Sequence, residues 1–254
     1  MNKIILILRK ELTEIFQQRV LLITMAVFPI LVVGITGYML VHPMTNGRLP
    51  ASTSDPRLAG MTTPQIAQVV AAMQFRMLLL AQALLVPSVI AAYSIVGEKN
   101  NRTLEPILAA PVSTGQLLAA KSLAALLPTV GITWLSGLAF IGELRLLGSA
   151  SILKLVATPG WMVLLFLAVP VMVISPIAVV VMISSRVNDP RTASQVASLV
   201  FIGVVVAMSL FGGPLVFSPL MSLGITAGFA LLGAVLLWAA TAFFQRETIL
   251  TKWT

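Results

Sequence analysis

The sequence predicts an all-α, polytopic membrane protein with six transmembrane helices, and three observations carry that expectation. Of its 254 residues 58% are hydrophobic and only 9% charged, against about 25% charged in an average soluble domain. The apolar residues gather into six runs, each close to the ~20 residues that cross a hydrocarbon core of roughly 30 Å. The sixteen Lys and Arg residues are spread thinly between the runs and form no patch, so they read as topology determinants and argue against nucleic acid as a partner. The absence of cysteine and the presence of one histidine, His42, exclude disulfides, thiolate metal sites and multi-histidine metal sites.

Residues 1–19 place Ile5, Leu8, Leu12, Ile15 and Phe16 at helical spacing, with Lys3, Lys10, Thr13, Glu14 and Gln17 on other faces. This is the pattern of an amphipathic helix lying in a membrane interface. The first span, 20–41, tolerates a kink at Pro29 and Gly34. It reads as a span and not as a cleaved leader, because Glu11 and Glu14 precede it and no small-x-small pattern ends it. A polar connection follows, whose later part, 64–73, could lie as a helix along the outer surface. The second span is 75–96, with Arg76 at its outer end expected to snorkel to the interface as an anchor.

The third span, 116–141, is expected to bend at Pro128 and Gly131, and Glu143, Arg145 and Lys154 fall in the outer connection after it. The fourth, 160–183, contains Pro170 and Pro176, which require neighbouring groups to take up the carbonyls they free. Asp189 as N-cap and Pro190 as first helical residue start the fifth span, placed at 195–211. Pro214 and Pro219 break the apolar stretch 213–222 into what reads as short re-entrant segments, and the sixth span is 223–244.

The longest polar interruption is Gly97–Lys121. Thr103 is a candidate N-cap for a short helix over 104–110, with Glu105 and Pro106 in its first turn. Pro111 ends that helix. Ser113 and Gln116 then form a capping box ahead of Leu117 and Leu118. Cations divide unequally between the two sides. Lys3, Arg9, Lys10, Arg19, Lys99, Arg102, Lys121, Arg186, Arg191, Arg246 and Lys252 share one face, and Arg48, Arg57, Arg76, Arg145 and Lys154 the other. The richer face is cytoplasmic by the positive-inside rule, which puts both termini and the segment 97–121 in the cytoplasm.

The string from Gly97-Glu98-Lys99 through Arg102-Thr103-Leu104-Glu105-Pro106-Ile107-Leu108 to Pro111-Val112-Ser113, with Leu117, Leu118 and Lys121 beyond, resembles the corresponding pattern of ABC-2 type transporter permeases. Asn101-Arg102 stands where glycine is common in that family. The Arg9-Lys10-Glu11-Leu12 string resembles the start of the family's N-terminal elbow helix. The resemblance implies a single transmembrane domain over 1–254, with an elbow helix at 1–19 and a cytoplasmic coupling segment at 97–115 that docks on a separate ATPase subunit. It implies that Glu98, Arg102 and Glu105 supply polar docking contacts and Leu104, Ile107 and Leu108 an apolar knob. It also implies pairing with a second permease copy, identical or related, and export across the cytoplasmic (inner) membrane of a drug, peptide, lipid-like molecule or ion such as sodium.

No G-x-x-x-x-G-K-(S/T) phosphate loop occurs, so the chain does not bind ATP in the P-loop manner. ATP and Mg would be held by the partner, and no cofactor, catalytic residue or metal by this chain. No H-E-x-x-H or G-x-S-x-G motif and no pair of intramembrane aspartates supports a membrane enzyme. The eight acidic residues fall in loops or at span ends, which disfavours a gradient-driven transporter, although sodium coupling through backbone carbonyls stays open. A non-transporting membrane scaffold is the other alternative.

Overall fold

A computed structural model describes residues 3–43, 56–100, 114–184, 186–211 and 218–243. Among these the regular structure is helical, with no strand. The helices are α1 (Lys3–Gln17), α2 (Arg19–Val41), α3 (Thr63–Asn100), α4 (Thr114–Leu146), a short α5 (Ala150–Val156), an interrupted α6 (Pro159–Ser184), α7 (Pro190–Phe211) and α8 (Pro219–Phe243). Six of them, α2, α3, α4, α6, α7 and α8, are long and apolar enough to cross a membrane. The end of the bundle where α3 stops and α4 starts is called here the foot, and the opposite end the head.

α3 is the axis. Its apolar window is 78% buried, against 28% in α2 and 22% in each of α7 and α8, and it packs against α2, α4, α6 and α7. The three outer helices turn Ile30, Leu199 and Leu231 outward, the face that lipid covers in a spanning bundle. Inside, hydroxyls bond back to their own helix: Thr36 to Val32 O, Thr129 to Ala125 O, Thr133 to Thr129 O and Thr226 to Ser222 O. Each thereby satisfies its donor without water.

Several helices run further than the sequence suggests. α3 begins at Thr63, so 64–73 is its first three turns and no separate surface helix. The start is held by a side chain: Thr62 N–H donates to Gln65 Oε1 at 3.0 Å, and Pro64 occupies the first turn. At the foot, α3 continues through Gly97 to Asn100. α4 runs unbroken through Pro128 to Leu146, so Glu143 and Arg145 belong to its last turn and not to a connection. Pro219 starts α8, with Ser218 Oγ accepting from Met221 N–H at 3.3 Å; residues 219–222 are therefore helix and no re-entrant piece, while 212–217 lie outside the described residues. Asp189 caps α7 as its sequence predicts, accepting from both N–H and Oγ1 of Thr192. Those two bonds hold its carboxyl below the ordinary carboxylate value.

α6 shows how a proline is accommodated. Over Leu164–Ala168 it widens into a π turn, and Val169 N–H bonds Leu164 O, five residues back. In that register Pro170 would reach Leu165 O, but it has no N–H. The indole Nε1–H of Trp134 on α4 donates to Leu165 O instead, at 2.9 Å. Close approach of the two helices makes this possible: a Cβ on Gly137 would lie 2.6 Å from Leu165 Cδ2, so only a residue without one fits the Leu165 side chain as placed.

Near the head, Arg76 is only 1% exposed and donates from Nη1 to Val156 O at 2.7 Å. It does not snorkel to the interface. The cation instead caps the carbonyl end of α5, where a positive charge is favoured. Gln68 Nε2 donates to Leu40 O and ties the last turn of α2 to α3.

Two substitutions test the α4–α6 contact. Gly137→Val is expected to lower stability by about 1–3 kcal/mol through overpacking. Trp134→Phe, which removes the donor and keeps most of the volume, should cost about 1 kcal/mol. Thermal unfolding in detergent followed by circular dichroism measures both.

Candidate functional site

The foot of the bundle holds a buried polar cluster that joins three helices. α3 and α4 frame the segment 101–113, delivering the chain at Asn100 and taking it up at Thr114. Of the residues expected to dock, Arg102, Leu104, Glu105, Ile107 and Leu108 lie outside the described residues, as does the short helix at 104–110. Glu98 belongs to the last turn of α3, and its side chain is outside the description too. What is described is how the two framing helices are held.

Lys121, on the second turn of α4, turns inward and is 4% exposed. Its Nζ donates to Glu11 Oε1 at 2.8 Å and to Ser94 O at 3.2 Å. Ser94 lies on α3, less than a turn before Gly97, and its Oγ donates to the other carboxylate oxygen, Glu11 Oε2, at 2.7 Å. Glu11 sits on α1 and is 2% exposed. One carboxylate thus spends one oxygen on each of the two helices that carry the segment 101–113.

Local sequence explains why Glu11 faces inward. It shares a helical stripe with Leu8 and Ile15, and Ile15 is 3% exposed, so burying that stripe against α4 takes the carboxylate along. Ile5 and Phe16 stay more than half exposed on the neighbouring stripe, which leaves α1 an apolar face outside the bundle. Lys10 pairs at 3.2 Å with Glu14 on the surface, a contact worth little in water.

Burial alone would raise the Glu11 carboxyl. The Lys121 ammonium and its hydrogen bond, together with the Ser94 hydroxyl, outweigh that and hold it below the ordinary value of 4.5. Sequence reading placed Glu11 in the amphipathic helix 1–19 and Lys121 at the flank of the polar segment. No local signal links residues 110 positions apart; the only hint is that each carries charge on an otherwise apolar helical stripe.

The head end holds a second inward acid. Glu143 turns toward α2, where a Cβ on Gly37 would lie 3.0 Å from its Oε1. Its Oε2 is buried with no hydrogen-bond partner among the described residues. Also among the described residues, no group of three His, Asp or Glu side chains is placed to hold a metal ion.

A family model described as "ABC-2 family transporter protein" matches residues 5–243. No curated protein matches the chain.

Glu11→Ala leaves the Lys121 ammonium buried without its counter-charge and should destabilise the bundle by about 3–5 kcal/mol. Replacing both partners, Glu11→Leu with Lys121→Met, should cost far less than the two single changes together. Acid tests the same pair. Because the folded value of Glu11 lies below the unfolded one, its contribution is complete above about pH 4.5 and is lost as the pH falls through the folded value. The wild type should therefore lose more melting temperature than the doubly apolar variant when taken from neutral pH to below 4.5.

Proposed function

Because the chain belongs to the ABC-2 transporter family, we propose that it is the membrane-spanning permease of an ATP-driven exporter, and that the segment 97–115 couples it to a separate ATPase subunit. The observation that carries this reading is the family match over residues 5–243, nearly the whole chain. Two further features support it. The chain has no phosphate loop of its own, so energy comes from a partner or a gradient, and the placing of its acidic residues in loops or at span ends disfavours the gradient. The helices that frame 101–113 are drawn together by a buried carboxylate, a rigid mount for a segment that must transmit force.

In this proposal residues 1–254 form one transmembrane domain in the cytoplasmic membrane, with both termini and the foot in the cytoplasm, as the cation bias requires. α1 is the interfacial elbow, its exposed Ile5 and Phe16 facing lipid. ATP and Mg reside on the ATPase. Leu104, Ile107 and Leu108 form the apolar knob of the dock, with Glu98, Arg102 and Glu105 around it. A second permease copy pairs about an axis normal to the membrane, and closure of the ATPase dimer rocks the two bundles between inward and outward access. The low charge of the spans favours an amphiphile over a bare ion as cargo.

Leu108→Asp is expected to leave the protein inserted while abolishing co-purification with its ATPase and ATP-dependent transport, because a charge at the centre of an apolar dock costs several kcal/mol. Unchanged co-purification and transport in that variant would overturn the docking assignment.

A further inference from the structure

We propose that Glu11 is a positioning residue of the coupling apparatus and that α1 is a crank: pinned to the feet of α3 and α4, it carries their displacement through Gln18 into a tilt of α2. The proposal rests on the coupling role of the segment 97–115 and adds a path by which a stroke there reaches a spanning helix.

The pin is built from three contacts. Glu11 takes Lys121 of α4 on one oxygen and Ser94 of α3 on the other, and Lys121 also donates to Ser94 O, which locks α3 to α4. Glu11 and Lys121 are almost wholly buried, so water does not compete for these bonds and pulling them apart strands a charge. α1 packs mainly along α4 and touches α2 little. The three feet therefore move as one body.

The joint is one residue long. α1 ends at Gln17 and α2 begins at Arg19. Gln18 between them is extended, at φ −83° and ψ 101°, with no side-chain cap. Its N–H still bonds Glu14 O, while its own carbonyl accepts from Leu22 N–H. The helices are thus in direct series, and a change in ψ at this position redirects α2 without unwinding either.

The lever is α2. It packs along α3 and α4 yet is among the least buried spans, and its side-chain ties to them lie at the head, in Gln68 on Leu40 O and the fit of Gly37 against Glu143. A helix tied at its head and steered at its foot responds to movement of α1 by tilting.

The test uses the complex with its ATPase in lipid nanodiscs. The chain has no native cysteine, so spin labels go on exposed positions by Leu6→Cys in α1, Ile30→Cys in α2 and Leu127→Cys in α4, in pairs. Between the nucleotide-free and ATP-vanadate-trapped states, the α1–α4 distance is expected to stay constant and the α1–α2 distance to shift. Glu11→Gln should broaden the α1–α4 distribution, remove the α1–α2 shift and lower transport about tenfold, while the ATPase still co-purifies. Should that variant fail to fold, insertion of Gly-Gly after Gln18 leaves the pin intact. It should keep ATPase binding and the α1–α4 distance while abolishing transport. A trapped state in which α1 separates from α4, or normal transport in the insertion variant, would overturn the crank with the coupling role intact. Failure of any ATPase to co-purify with the wild type would overturn the coupling role itself, and the crank with it.

Discussion

The structure depends on a constraint that the membrane sets: a polar group away from water has to be satisfied by protein. Backbone bonds within helices meet most of that demand, and the interest lies where they do not. Pro170 leaves Leu165 O without its donor, and the answer is a tryptophan on the adjacent helix, brought close by a glycine one turn further along. The carbonyl end of α5 is met by a buried arginine. Both are polar contacts between elements, and both sit where a helix is short or interrupted. The fold uses polar side chains to repair breaks and apolar surface to pack everything else.

The foot applies the same constraint to charge. An isolated carboxylate at 2% exposure is not tolerable, so Glu11 needs Lys121, and Lys121 in turn needs the α3 carbonyl it also bonds. A buried ion pair adds little net stability over well-packed apolar residues, but it sets geometry, because only one arrangement satisfies all its partners. Here the arrangement joins the middle of α1 to the ends of α3 and α4 that flank the segment 101–113.

Much of the fold was legible because its signals are local. Six apolar runs give six long helices, and Asp189-Pro190 starts α7 as the rules for helix ends require. Where helix limits were missed, the signal was present and underweighted. Thr62, Pro64 and Gln65 spell a helix start ahead of α3, and between Ile141 and Leu146 stands no proline and a single glycine, Gly142, which a helix tolerates. The site was less legible, since its contacts span 27 to 110 positions. Periodicity can say that Glu11 shares a stripe with Ile15, but not which helix that stripe will meet. Arg76 misled for a related reason: its place near a span end fits an interfacial anchor, and only the tertiary arrangement supplies the carbonyl of Val156 that holds it inside.

The separation of Glu11 and Lys121 also bears on how the protein is made. Their 110 positions correspond to about 5–20 s of synthesis, during which α2 and α3 have emerged and α4 has not. Throughout that interval the Glu11 carboxylate has the half-exposed Lys10 of its own helix beside it but not Lys121, and it stays hydrated at the membrane surface, which keeps α1 from seating. Its burial becomes favourable only when α4 arrives with Lys121. α1, made well before α4, is thus among the later helices to reach its final place, and its seating registers that α2, α3 and α4 are present together.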